Sequence, residues 1–74
     1  MRYRQMIEIG THFGDIFALD CVREAYKDGS GKAFYRVEAV NANFADQGQW
    51  LAEDWEGLWH VLTAEQAMKE GGEL

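Results

Sequence analysis

Residues 49–62 read QWLAEDWEGLWHVL, and the fold turns on whether they form one helix or two strands. On a helix, Leu51, Trp55, Leu58 and Leu62 fall at i, i+4, i+7 and i+11 with Trp59 beside them, and Glu53, Glu56 and His60 fall opposite. The rival is a hairpin of QWLAED and LWHVL about Glu56-Gly57. The periodicity predicts the helix, against a cost of about 1 kcal/mol for Gly57 relative to alanine. Asp46 is a candidate N-cap ahead of it, placing negative charge at the positive helix end. On this reading Trp55 is a core side chain, and Trp55→Ala costs roughly 3–5 kcal/mol. Trp50, off the centre of the stripe, is the candidate exposed aromatic.

Outward from this segment the signals are simpler. The apolar stripe stops at Leu62, and Thr63-Ala64-Glu65-Gln66 then resembles a capping box opening a short helix to about Lys69, ended by Gly71-Gly72. Upstream, residues 32–40 (KAFYRVEAV) alternate. Tyr35, Val37 and Ala39 face one way, and Phe34, Arg36, Glu38 and Val40 the other, in a strand ended by Asn41-Ala42-Asn43. Residues 2–9 also read as a strand, with Tyr3, Ile7 and Ile9 opposite Arg2, Arg4 and Glu8, although Gln5 and Met6 blur the alternation. Gly10-Thr11-His12-Phe13-Gly14-Asp15 breaks it. Residues 16–27 fit a helical wheel more cleanly than a strand. Asp28-Gly29-Ser30-Gly31 before a good strand nevertheless reads as a hairpin connection, so a strand is preferred for 16–26. The expected fold class is α+β: a three-stranded antiparallel meander covered by C-terminal helical segments. The alternative is a small mostly-β, barrel-like domain with one short C-terminal helix.

Seventy-four residues make one expected domain, residues 1–74. Such a chain holds only about 3–5 kcal/mol of net stability in its core. Cys21 has no second cysteine to pair with, and the spacing of His12, His60 and Cys21 matches no metal motif, so neither metal nor cofactor is expected. Stability then rests on apolar packing, with a homodimer as an open option. At 47% hydrophobic and 14% aromatic, the chain is too apolar for a disordered acidic tail. The start, MRYRQMIEIG, has no apolar run of a secretory signal, and no stretch approaches the roughly 18 apolar residues of a membrane span. An unpaired cysteine fits a reducing compartment, so the expected location is cytoplasmic.

Charge is divided unevenly. Arg2, Arg4, Arg23, Lys27, Lys32 and Arg36 lie in the first 36 residues, whereas Lys69 is the lone base after them, against Glu38, Asp46, Glu53, Asp54, Glu56, Glu65, Glu70 and Glu73. All three tryptophans sit in that acidic half. A net charge of −6 disfavours direct contact with nucleic-acid phosphates and favours a basic protein surface. Asp46, Trp50, Glu53, Asp54 and Glu56 are therefore the candidate partner-binding residues. A second arrangement is an aromatic-basic strand face for single-stranded nucleic acid, made by Tyr3, Phe34 and Tyr35 with Arg2, Arg4 and Arg36. Catalytic signals are weak: His12, Asp15 and His60 have no motif spacing, Cys21 sits in an apolar run, and Gly10–Gly14 lacks the ending of a phosphate loop.

In size and charge, though in no motif, the chain resembles small acidic phage-encoded inhibitors of host defence, anti-CRISPR proteins among them, and some antitoxins. The expected function is a non-enzymatic inhibitor or regulator that occupies a basic, nucleic-acid-binding surface of a larger protein. The alternative is a small β-rich module for nucleic acid or a small ligand.

Overall fold

The structure is a computed structural model and describes residues 2–10, 13–38 and 43–71, with Phe13 and Gly14 described by backbone alone. Its elements are β1 (Tyr3–Glu8), α1 (Phe13–Phe17), β2 (Val22–Lys27), β3 (Ala33–Val37), β4 (Phe44–Asp46), β5 (Trp50–Asp54), β6 (Trp59–Leu62) and α2 (Ala64–Gly71). They form two three-stranded antiparallel sheets, β1-β5-β6 and β2-β3-β4, with a short C-terminal helix.

The expected helix over 49–62 is a hairpin, β5–β6. Its pairs run Trp50↔Leu62, Leu51↔Val61, Ala52↔His60 and Glu53↔Trp59. The helical spacing arises because Leu51 and Leu62 sit on opposite faces of the strands while Trp55 and Leu58 sit on the connection, not because all four share a side. Gly57 stands at φ 88°, in the left-handed region, which no helix interior adopts. Asp46 accordingly caps no helix; it ends β4, a strand the sequence did not announce.

The meander of the first three strands is also corrected. β1 pairs with β5 across the chain, while β2, β3 and β4 form their own meander. Residues 16–26 divide between both readings: α1 ends at Phe17 and β2 begins at Val22. Among the described residues the ladders stay separate, so the barrel of the alternative does not close. Ala39–Ala42 and Gly72 lie outside the described residues, along with what was expected of them.

The two sheets share one apolar cluster. β3 follows its alternation, with Ala33, Tyr35 and Val37 buried, and they meet Val22, Ala45, Ile16 and Cys21 on their own side and Ile9 and Leu51 from the other sheet. The other face of β1-β5-β6 holds a smaller cluster of Tyr3, Ala52, Leu62 and Ala67, with Met6 and Trp50 against it. The blurred pattern of β1 has a physical cause. A bulge between Tyr3 and Gln5 inserts one residue opposite β5, so Tyr3 and Met6 join the smaller cluster while Ile7 and Ile9 join the larger. Helix α2 buries Ala67 there and is capped as expected: the Gln66 amide donates to Thr63 Oγ1 (3.1 Å), and the Thr63 amide donates to Gln66 Oε1 (3.0 Å). No helix of the described residues is long and apolar enough to cross a membrane.

Leu51 and Trp55, expected together on one buried stripe, are thereby separated. Leu51 is fully buried and Trp55 is 69% exposed. Leu51→Ala is expected to cost about 2–5 kcal/mol, enough to unfold much of the population. Trp55→Ala is expected to shift stability by no more than about 0.5 kcal/mol. Urea denaturation followed by circular dichroism measures both, and a Trp55→Ala midpoint far below wild type contradicts the hairpin.

Candidate interaction site

The connections β2–β3 and β5–β6 are built alike. In Asp28-Gly29-Ser30-Gly31-Lys32, the Asp28 amide donates to the Lys32 carbonyl (3.0 Å) and the Gly31 amide to the Asp28 carbonyl (3.1 Å), with Gly31 at φ 87°. In Asp54-Trp55-Glu56-Gly57-Leu58, the Asp54 amide donates to the Leu58 carbonyl (2.9 Å) and the Gly57 amide to the Asp54 carbonyl (3.1 Å), with Gly57 at φ 88°. Each aspartate closes its turn from within. Asp28 Oδ1 accepts from the Ser30 and Lys32 amides, at 2.9 and 3.0 Å. Asp54 Oδ1 accepts from the Glu56 and Leu58 amides, at 2.8 and 3.0 Å. Such turns ask for a side-chain acceptor at the first position and a left-handed residue at the fourth, and nothing of the two between.

The first turn fills those free positions with Gly29 and Ser30, as solvent exposure favours. The second fills them with Trp55 and Glu56. Trp55 belongs to neither apolar cluster, and Leu58, 42% exposed, follows it. The turn is further held at Asp54 Oδ2, which lies 2.9 Å from His60 Nε2, while the His60 ring tilts against Tyr3 at 5.6 Å. The His60 hydrogen bond, with the Leu58 amide adding to it, holds the Asp54 carboxyl below its ordinary 3.8.

The sequence-derived set divides over the molecule. Glu53, Asp54 and Glu56 come together at this hairpin end. Glu53 pairs with Arg4 (3.1 Å), and Glu56 makes no ion pair among the described residues. Trp50 begins β5 and lies half-buried against the smaller cluster, so it is not the exposed aromatic. Asp46 is on the other sheet, paired with Lys32 at 3.2 Å. The helix expected to carry Glu53 and Glu56 opposite its apolar stripe, with Asp46 as its N-cap, is absent, and the five residues lie on two sheets and a turn. Trp55, expected in the core, is the exposed residue that sequence reasoning missed; Asp54 and Gly57, at the first and fourth positions of a turn, were its available signal.

The aromatic-basic strand set does not form a surface, because Tyr3 and Tyr35 are buried and Arg2, Arg4 and Arg36 pair with Glu70, Glu53 and Glu24. The described residues hold no group of three potential metal ligands, and His12 lies outside them. Burial pushes the Cys21 thiol up to about 11, so it is protonated at neutral pH. Comparison with protein-family models, characterised proteins and solved structures finds no match to this chain.

Because the folded pKa of Asp54 is depressed, its support of the turn is complete above pH 3.8 and is lost as pH falls through the folded value. The Glu56 and Leu58 amides are therefore expected to lose hydrogen-exchange protection below that range before the β2–β3 ladder does. Asp54→Asn should remove this acid-dependent step, which amide exchange by NMR resolves residue by residue.

Proposed function

We propose that the protein is a small non-enzymatic interaction protein, an inhibitor or regulator, that docks the β5–β6 hairpin end on a basic surface of a larger protein. One observation carries the reading: two turns of the same hydrogen-bonded design differ in that one presents Gly29 and Ser30, and the other presents Trp55 and Glu56. The fold needs no indole at that position. A 69% exposed tryptophan on a turn braced by Asp54 is preorganised, so little conformational entropy is lost when it enters a pocket. Asp54 and Glu56 flank it with carboxylates, and the chain carries a net charge of −6. Lysines or arginines around an apolar slot complement that arrangement and steer the encounter.

The test begins by isolating the partner on immobilised protein at low salt, then measures binding to the purified partner by surface plasmon resonance. Trp55→Ala is expected to weaken binding by about 2 kcal/mol, roughly 30-fold in Kd, mainly through faster dissociation. Glu56→Lys is expected to slow association, and added salt to slow it for wild type as the Debye length shrinks from about 10 Å at 0.1 M to about 3 Å at 1 M. Both variants binding like wild type would overturn the assignment.

A further inference from the structure

The outer face of the β2-β3-β4 sheet is a second surface of different character. Its inner cross-strand row is Ala25–Tyr35–Ala45; its outer rows are Tyr26–Phe34–Asp46 and Glu24–Arg36–Phe44. Tyr26, Phe34 and Phe44 line an open depression of about 350 Å³, with the Tyr26 and Phe44 rings 6.3 Å apart. Tyr26 and Phe44 are 46% and 59% exposed, so these aromatics do not serve the core. Around them stand ion pairs: Lys32–Asp46 (3.2 Å), Arg36–Glu24 (3.6 Å) and Arg23–Glu38. Lys32 also lies 5.3 Å above the Phe34 ring.

The charge of this face sets it apart. Residues 22–38 and 43–46 contribute Arg23, Lys27, Lys32 and Arg36 against Glu24, Asp28, Glu38 and Asp46, a net of zero. The whole −6 of the chain resides elsewhere. Because Lys32, Arg36 and Arg23 already face carboxylates, a phosphate backbone would have to displace three ion pairs, which argues against nucleic acid. A strongly basic partner would meet no excess of negative charge here. A surface with equal and alternating charges around an apolar centre is complementary to itself.

We infer that this face is the interface of a homodimer, in which a second copy packs Tyr26, Phe34 and Phe44 on the same residues across a two-fold axis. In such an isologous contact, each Arg36 can meet the Glu24 of the other copy, a carboxylate that also accepts from the Tyr26 hydroxyl, and each Lys32 its Asp46, so the rim pairs can exchange between copies. The aromatics supply the desolvated centre and the ion pairs the polar rim. The hairpin-end assignment is independent of this contact, since Trp55 and Glu56 lie on the other sheet.

Size-exclusion chromatography with light scattering, up to millimolar protein and in about 0.5 M salt to screen repulsion between −6 chains, tests the proposal. Wild type is expected to rise from 8.5 kDa to twice that mass with concentration. Phe44→Glu and Tyr26→Glu, both at exposed positions and checked for folding by circular dichroism, should each weaken association at least about tenfold. Trp55→Ala should dimerise as wild type does. A wild type that stays at 8.5 kDa throughout overturns the proposal, as do glutamate variants that dimerise normally. A monomeric wild type that binds fluorescein-labelled oligo(dT) would assign the face to single-stranded nucleic acid instead.

Discussion

The junction of the two sheets carries the rest of this molecule. Tyr35 and Val37 of β3 and Leu51 of β5 are buried almost completely, and through them each three-stranded ladder finds the apolar surface it lacks. A lone three-stranded sheet of this size would leave one face in water with little to hold it. Packing two together also fixes which face of each strand points in, and so which side chains are left outside. The outward placement of Tyr26, Phe44 and the half-buried Phe34 follows from the inward placement of Tyr35 and Ala45, with the partly buried Ala25, between them.

The turns translate that scaffold into presentation. An aspartate at the first position and a left-handed glycine at the fourth close the β2–β3 and β5–β6 hairpins with the same backbone bonds. Because the shared backbone bonds lie with those two residues, the intervening pair differs between the turns, although Ser30 adds a hydroxyl bond to Asp28 Oδ1 (2.6 Å) in the first. That pair is glycine and serine in one hairpin and tryptophan and glutamate in the other. The Asp54–His60 contact ties the second turn to the strand behind it, so the indole is held out on a rigid support.

The two candidate surfaces differ in how they would respond to charge. At the hairpin end Glu56 makes no ion pair among the described residues while Glu53 and Asp54 face Arg4 and His60, and the proposed occupant is a basic protein; the outer face of β2-β3-β4 carries no net charge, and its proposed occupant is a second copy. The two proposals are compatible: a second copy on the outer face would bury exposed aromatics and leave the hairpin ends open to a larger partner.

Sequence alone determined the local devices. The alternation of β3, the hairpin about Asp28–Gly31 and the reciprocal cap of Thr63 and Gln66 each depend on residues within a few positions of one another. It also determined the acidic character of the second half. What only tertiary structure decided was the pairing of β1 with β5 and the two strands within residues 49–62. There the spacing of Leu51, Trp55, Leu58 and Leu62 is compatible with a helix, and the outcome depends on a partner strand more than forty residues away. The Tyr3–Gln5 bulge, which sends Tyr3 and Ile9 to different clusters, exists only because that distant strand sets a register. Exposure of Trp55 follows for the same reason: once the segment pairs as strands, its centre must be a turn, and a turn residue faces solvent.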